Sequence, residues 1–115
     1  MRLESLCDRW GAAATLSLVF FLAGCGTVKN PALERARDAY ERARRDPAVA
    51  GRAAVALDKT RLTLEQAERL WESEKDVAEV DHLVYLTEKR AEIARATARR
   101  RSAADEIQQL RSQRD

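Results

Sequence analysis

Glycine and proline are scarce in this chain of 115 residues: there are four and two, and Gly11, Gly24 and Gly26 all fall within the first 26 positions. Beyond them only Gly51, Pro31 and Pro47 are left to interrupt a helix, so long helices are the natural result. Aromatic residues make up 5% of the chain against 35% charged residues, a balance that suits a helical or coiled-coil protein and argues against a sheet protein. Histidine is limited to His82 and cysteine to Cys7 and Cys25, too few for a metal centre. Glu79 and Asp81, the acids nearest His82, point to different faces of a helix. A Gly-rich phosphate loop, a Ser/His/Asp set and paired carboxylates in an apolar setting are all missing, so neither catalysis nor a small-molecule substrate is expected. The net charge of +2 is not that of a nucleic-acid-binding domain. At this length one domain with a marginal core is the most that fits.

What the chain does have is a processing signal. Residues 12–23 form an apolar run of ordinary signal-peptide length, and Leu22, Ala23, Gly24 and Cys25 close it. This ending resembles the bacterial lipoprotein signal, in which Leu22, Ala23 and Gly24 would be the peptidase recognition box. Residues 1–24 would then be removed, and Cys25 would carry a diacylglyceryl group and an N-acyl chain. No other cofactor is expected. Two or more acyl chains hold a protein firmly, at about 0.8 kcal/mol per buried methylene. Gly26 stands where lipoproteins kept in the inner membrane often carry Asp, which by the same resemblance sends the protein to the outer membrane of a Gram-negative cell, facing the periplasm. Residues 25–30 would be a short lipidated tether. The rival reading is an uncleaved inner-membrane anchor from about Trp10 to Val28, kept open because Arg2 and Arg9 are balanced by Glu4 and Asp8.

The remaining residues, 31–115, read as an all-α, three-helix antiparallel bundle or coiled-coil hairpin with a long C-terminal helix. Asn30 and Pro31 suit a helix start, and Leu33, Ala36, Tyr40 and Ala43 give one apolar face over 31–45. Asp38 with Arg42 and Glu41 with Arg45 are spaced as acid-to-base pairs on the other face. Asp46-Pro47 opens a second helix over about 47–72, with Val49, Ala53, Leu57, Thr60, Leu64, Ala67 and Trp71 on its seam. Ser73 is placed to cap a third helix over about 76–113. The third helix repeats Val77, Val80, Val84, Thr87, Ala91, Ala94 and Ala98 at alternating steps of three and four, a heptad seam. Leu83, Leu86 and Ile93 widen its apolar face. Tyr40, Trp71 and Tyr85 are expected to fill gaps in an alanine-rich core with their polar atoms at its rim.

At about 1.5 Å per residue the third helix outlasts the second, about 55 Å against 37 Å, so Ile107 and Leu110 should lie in an overhang that frays, stays exposed or meets another chain. Charge is uneven along the body. Residues 65–81 hold seven acids and two bases, whereas 89–101 hold Lys89, Arg90, Arg95, Arg99, Arg100 and Arg101 against Glu92 alone. Such runs are commonly solvated faces. The sharper readings are a contact between copies or with another envelope protein, or basic contact with an anionic lipid or envelope polymer.

The segment Val80-Asp81-His82-Leu83-Val84-Tyr85-Leu86-Thr87-Glu88-Lys89-Arg90-Ala91-Glu92-Ile93-Ala94 is similar to the characteristic helix of an uncharacterised helical domain family of proteobacterial envelope lipoproteins. Ala32-Leu33, Ala36-Arg37, Tyr40 and Asp46-Pro47 fit that resemblance, which covers roughly residues 31–100. It implies an all-helical domain with no catalytic residues to transfer. In that family the domain often precedes an OmpA-like peptidoglycan-binding domain; these 115 residues hold none, so cell-wall binding is not carried over. The function expected is a structural or adaptor role in the envelope.

Overall fold

A computed structural model describes residues 28–115. The described residues form four α-helices and no strand: α1 (Pro31–Arg45), α2 (Pro47–Arg52), α3 (Ala54–Ser73) and α4 (Val77–Arg114). Asn30 starts α1 as expected, its Oδ1 accepting the backbone N–H groups of Ala32 at 2.9 Å and Leu33 at 3.4 Å, with Pro31 at the first helical position. Asp46 serves two helices. Its N–H closes α1 on the Ala43 carbonyl at 3.3 Å, and its carboxylate accepts the Ala48 N–H at 2.9 Å to open α2. On the outer face of α1, Glu41 pairs with Arg44 at 2.9 Å and with Arg45 at 3.7 Å, while the expected pair of Asp38 and Arg42 does not form among the described residues.

The second helix of the sequence reading, 47–72, is two helices. Ala53 leaves helical geometry (φ −136°, ψ 31°) and separates α2 from α3. Hydrogen bonding continues across the break, from the Ala53 N–H to the Val49 carbonyl at 2.8 Å and from the Leu57 N–H to the Ala53 carbonyl at 2.9 Å. The kink follows Gly51, the one glycine in the body, a residue that weakens a helix interior. It is held by packing, since Val49 and Ala53 are buried against Ala94 and Ala98 of α4.

The turn from α3 to α4 also differs from expectation. Ser73 does not cap α4; it is the last residue of α3, and its hydroxyl donates to the Leu70 carbonyl at 3.4 Å. Asp76 is the cap, its carboxylate accepting the Glu79 N–H at 3.1 Å. Between them Lys75 takes a left-handed conformation, φ 53°, and its N–H closes α3 on the Leu70 carbonyl at 3.3 Å. Its ammonium group lies 5.3 Å from the centre of the Trp71 ring.

α4 is the spine, 38 residues or about 57 Å long, and α1, α2 and α3 all pack on it. Its inner seam is Val80, Leu83, Val84, Thr87, Ala91, Ala94 and Ala98. The core narrows along this seam. At the Trp71 end, Leu33, Leu64, Val80, Leu83 and Val84 pack with Ala32, Ala36 and Ala67, and Tyr40, Leu70, Trp71 and Leu86 flank them. Farther along, the contacts are Ala39 and Ala43 with Ala91, then Val49 and Ala53 with Ala94 and Ala98. α1 therefore runs alongside α4 and α3 runs against it. Thr60, Thr63 and Thr87 are buried without cost in unmet hydrogen bonds, because their hydroxyls donate to the carbonyls of Ala56, Lys59 and Leu83 at 2.8–2.9 Å. Three side chains assigned to the core are not in it: Val77 is 57% exposed, Tyr85 56% and Ile93 58%. Val77 stands in the first turn of α4, before the bundle covers it. Tyr85 lies on the open side of α4, and Ile93 stands at the solvent-exposed edge of the contact between α3 and α4.

Two measurements test this packing. Ala94→Leu forces three more carbons into a site with no exposed surface and should cost about 1–3 kcal/mol in thermal or denaturant unfolding, while Ala50→Leu on the exposed side of α2 should change stability by less than about 0.5 kcal/mol. At the turn, Lys75→Gly and Lys75→Ala both lose the contact with Trp71, but only glycine relieves the left-handed backbone. The glycine variant should therefore be the more stable of the two by about 1 kcal/mol.

Candidate interaction surface

The residues singled out in the sequence fall into three groups. Leu22, Ala23, Gly24, Cys25 and Gly26 lie outside the described residues. The chain enters the described structure at Val28, whose carbonyl accepts the indole N–H of Trp71 at 3.3 Å. The entry point is thus fastened to the wide end of the core, beside the Lys75 turn. Among the described residues no helix is long and apolar enough to cross a membrane.

The basic stretch is the second group, and its six side chains do different things. Lys89 forms an ion pair with Glu92 at 3.0 Å, and that hydrogen bond raises the lysine pKa above its ordinary value, so it stays charged. Arg90 reaches across to α3 and donates to the Thr63 hydroxyl. Arg101 donates to the backbone carbonyl of Arg52, and Arg52 itself pairs with Asp105 at 2.8 Å. These two contacts tie the end of α2 to the start of the overhang. Arg95, Arg99 and Arg100 are exposed and have no carboxylate at ion-pair distance among the described residues. Several other arginines are matched: Arg37 bridges Glu34 and Glu68, both at 2.6 Å, and Arg61 bridges Asp58 at 2.8 Å and Glu65 at 2.5 Å. The pairing with Glu68 is the main reason that the Arg37 pKa is raised. The acids Glu72, Glu74, Glu79 and Asp81, at the opposite end of the body, likewise lack a basic partner among the described residues.

Arg90 and Arg101 also rim a shallow groove between α3 and α4, of about 450 Å³, whose floor is Ala53, Val55, Ala56 and Ile93. The groove has an apolar floor and a cationic edge and is open to solvent. It holds no carboxylate, thiol or imidazole that could do acid–base or nucleophilic work. Among the described residues no three His, Cys, Asp or Glu side chains gather as a metal site, and His82 is exposed.

The overhang is the third group. α4 has its last buried residue at Ala98, so the turns carrying Ile107 and Leu110 extend past everything that packs on it, leaving these side chains 51% and 56% exposed. Together with Ile93 they form an apolar outer face of α4, interrupted by the unpaired Arg100. Ile107 and Leu110 stand in the overhang as their position in the sequence implied, whereas Ile93 was read there as a widening of the inner seam. The contacts of Arg52 with Asp105 and of Arg101 with the Arg52 carbonyl had no sequence signal, because they join residues about fifty positions apart.

Among the described residues these features define a class: an all-helical bundle built on one long helix, with a covered inner seam, an uncovered outer face and a division of charge along its length. Within that class the chain belongs to the family described as Domain of unknown function (DUF4398), whose model matches residues 31–110. That span takes in α1, α2, α3 and α4 through Leu110. No curated protein and no solved structure matches the chain.

Proposed function

We propose that this protein is an outer-membrane-anchored periplasmic lipoprotein that acts as a structural or adaptor element of the envelope, presenting α4 to a protein partner. The observation that carries the adaptor role is the outer face of α4. A helix that carries Ile93, Ile107 and Leu110 in water invites a partner, because exposed apolar side chains aligned along one face gain from being covered. The anchor rests on the sequence, on Leu22-Ala23-Gly24-Cys25 at the end of an apolar run, with Gly26 after it as the outer-membrane sorting residue. The fastening of Val28 to Trp71 would hold the wide end of the bundle next to the bilayer, only three residues from the lipidated cysteine.

A second reading is favoured by a specific observation, the exposed and carboxylate-free Arg95, Arg99 and Arg100. In it the basic stretch of α4 holds an anionic lipid or envelope polymer, alone or in addition to a protein partner.

The anchor is tested by the intact mass of the membrane-extracted protein. The expected mass shows loss of residues 1–24 and gain of acyl chains, both abolished by Cys25→Ser. An unprocessed, unlipidated mass would turn residues 10–28 into an inner-membrane anchor and remove the outer-membrane assignment. The polymer or lipid reading predicts salt-dependent binding to purified sacculi or to vesicles containing anionic lipid, lost when Arg95, Arg99 and Arg100 are all changed to Glu. Binding unchanged by that reversal would end it.

A further inference from the structure

α4 has two heptad seams on opposite sides. The inner one, from Val80 to Ala98, is covered by the other helices. The outer one runs Leu86, Lys89, Ile93, Ala96, Arg100, Ala103, Ile107, Leu110, in steps of three and four without a break. At 100° per residue it lies nearly opposite the inner seam, and from Ile93 onward it is largely exposed. A period of 3.5 is the signature of a left-handed supercoil, and a straight helix would drift about 20° per heptad away from it. A helix wound to keep the inner seam on the bundle keeps the outer seam in line as well. The outer seam is thus already shaped for another helix.

The occupant follows from the charges. Two copies side by side in parallel would set Lys89, Arg100 and Arg114 each on itself within the seam, whereas the antiparallel register leaves like charges, Lys89 against Arg114, only at its two ends. In an antiparallel pair, the register that places Ile93 opposite Leu110 of the second copy also places Ala96 opposite Ile107 and Arg100 opposite Ala103. Ile93, Ile107 and Leu110 then each meet an apolar partner, and the long arginine lies over a small residue from which its charge reaches water. In the same register Arg99 of each copy flanks Glu106 of the other. Neither has an ion-pair partner within its own chain among the described residues, and both stand on the same side of the outer seam, where antiparallel helices bring like positions together.

We propose that α4 pairs through this outer seam with α4 of a second copy, antiparallel, so that each C-terminal overhang lies along the body of the other chain. This rests on the adaptor reading and deepens it by naming the partner as the chain itself. The starts of the two α4 helices are then about 70 Å apart. With both chains tethered just before Val28, the paired rod lies along the membrane surface.

The test is disulfide cross-linking of the full chain in its membrane, with the unaltered chain as the control for Cys7 and Cys25. The double variant Ile93→Cys/Leu110→Cys should give a covalent dimer, and neither single variant should, because each of these positions is about 26 Å from its own copy in the antiparallel pair. Arg99→Glu should lower the cross-linked fraction of the double variant roughly tenfold, and adding Glu106→Arg should restore it. All of these side chains are exposed, so circular dichroism should be unchanged throughout. Cross-linking of the single variants would mean a parallel pair and overturn the proposal, as would failure of Glu106→Arg to rescue. No cross-linking at all also overturns it. In that case capture of a different envelope protein through Ile107 and Leu110 leaves the adaptor reading standing, and a strictly monomeric chain with no captured partner removes both.

Discussion

The fold depends on how closely other helices approach α4, and alanine sets that distance. Ala36, Ala39, Ala43, Ala53, Ala67, Ala91, Ala94 and Ala98 are all buried, and together they let three helices rest on one without a glycine in any of the contacts. Glycine could give the same closeness but would weaken each helix by about 0.5–1 kcal/mol per position relative to alanine. Alanine keeps helix propensity at its maximum, and this matters in a chain whose core is too thin to enforce secondary structure by burial alone. The consequence is uneven strength. An alanine methyl removes little apolar surface from water, so hydrophobic stabilisation is concentrated at the Trp71 end, where Leu33, Leu64, Val80, Leu83 and Val84 meet. At the narrow end polar contacts add to Val49 and the alanines: Arg52 with Asp105, Arg101 with the Arg52 carbonyl, and Arg90 with Thr63.

That gradient explains which parts of the structure could be read from the sequence. A seam repeats, and repetition is visible without tertiary information; Val80 through Ala98 are buried as their spacing implies, as are Leu33, Ala36 and Ala43, with Tyr40 half-buried beside them. Periodicity identifies a face but not how many neighbours cover it, which is why Ile93 and Tyr85 were placed inside and lie outside. The boundaries that were legible are those with local chemistry, Asn30-Pro31 and Asp46-Pro47. The break at Ala53 and the left-handed Lys75 have no such mark, since alanine and lysine are ordinary helix residues, and their geometry comes from what packs around them. The basic stretch shows the same limit. Six cations in thirteen residues are obvious in the sequence, but their division between a carboxylate, a hydroxyl, a backbone carbonyl and open solvent is a property of the folded neighbours.

The C-terminal turns of α4 pose the remaining physical question, which is what keeps them helical. Tertiary packing supplies most helical stability in proteins, and a run of this length standing alone is marginal in water. After Asp105 no contact from another described helix supports the chain. The local pairs are few, with the Ser112 hydroxyl donating to the Gln109 carbonyl at 2.7 Å. A terminus selected only to be soluble would carry small polar residues there. This one instead continues the outer seam through Ala103, Ile107 and Leu110 in register with Ile93, five turns earlier. Random apolar residues would not hold a period of 3.5 across that distance while charged residues fill the positions between them. The register continues where the bundle does not use it, and it is on this continuation, not on any contact within the bundle, that the proposed pairing along the outer face of α4 rests.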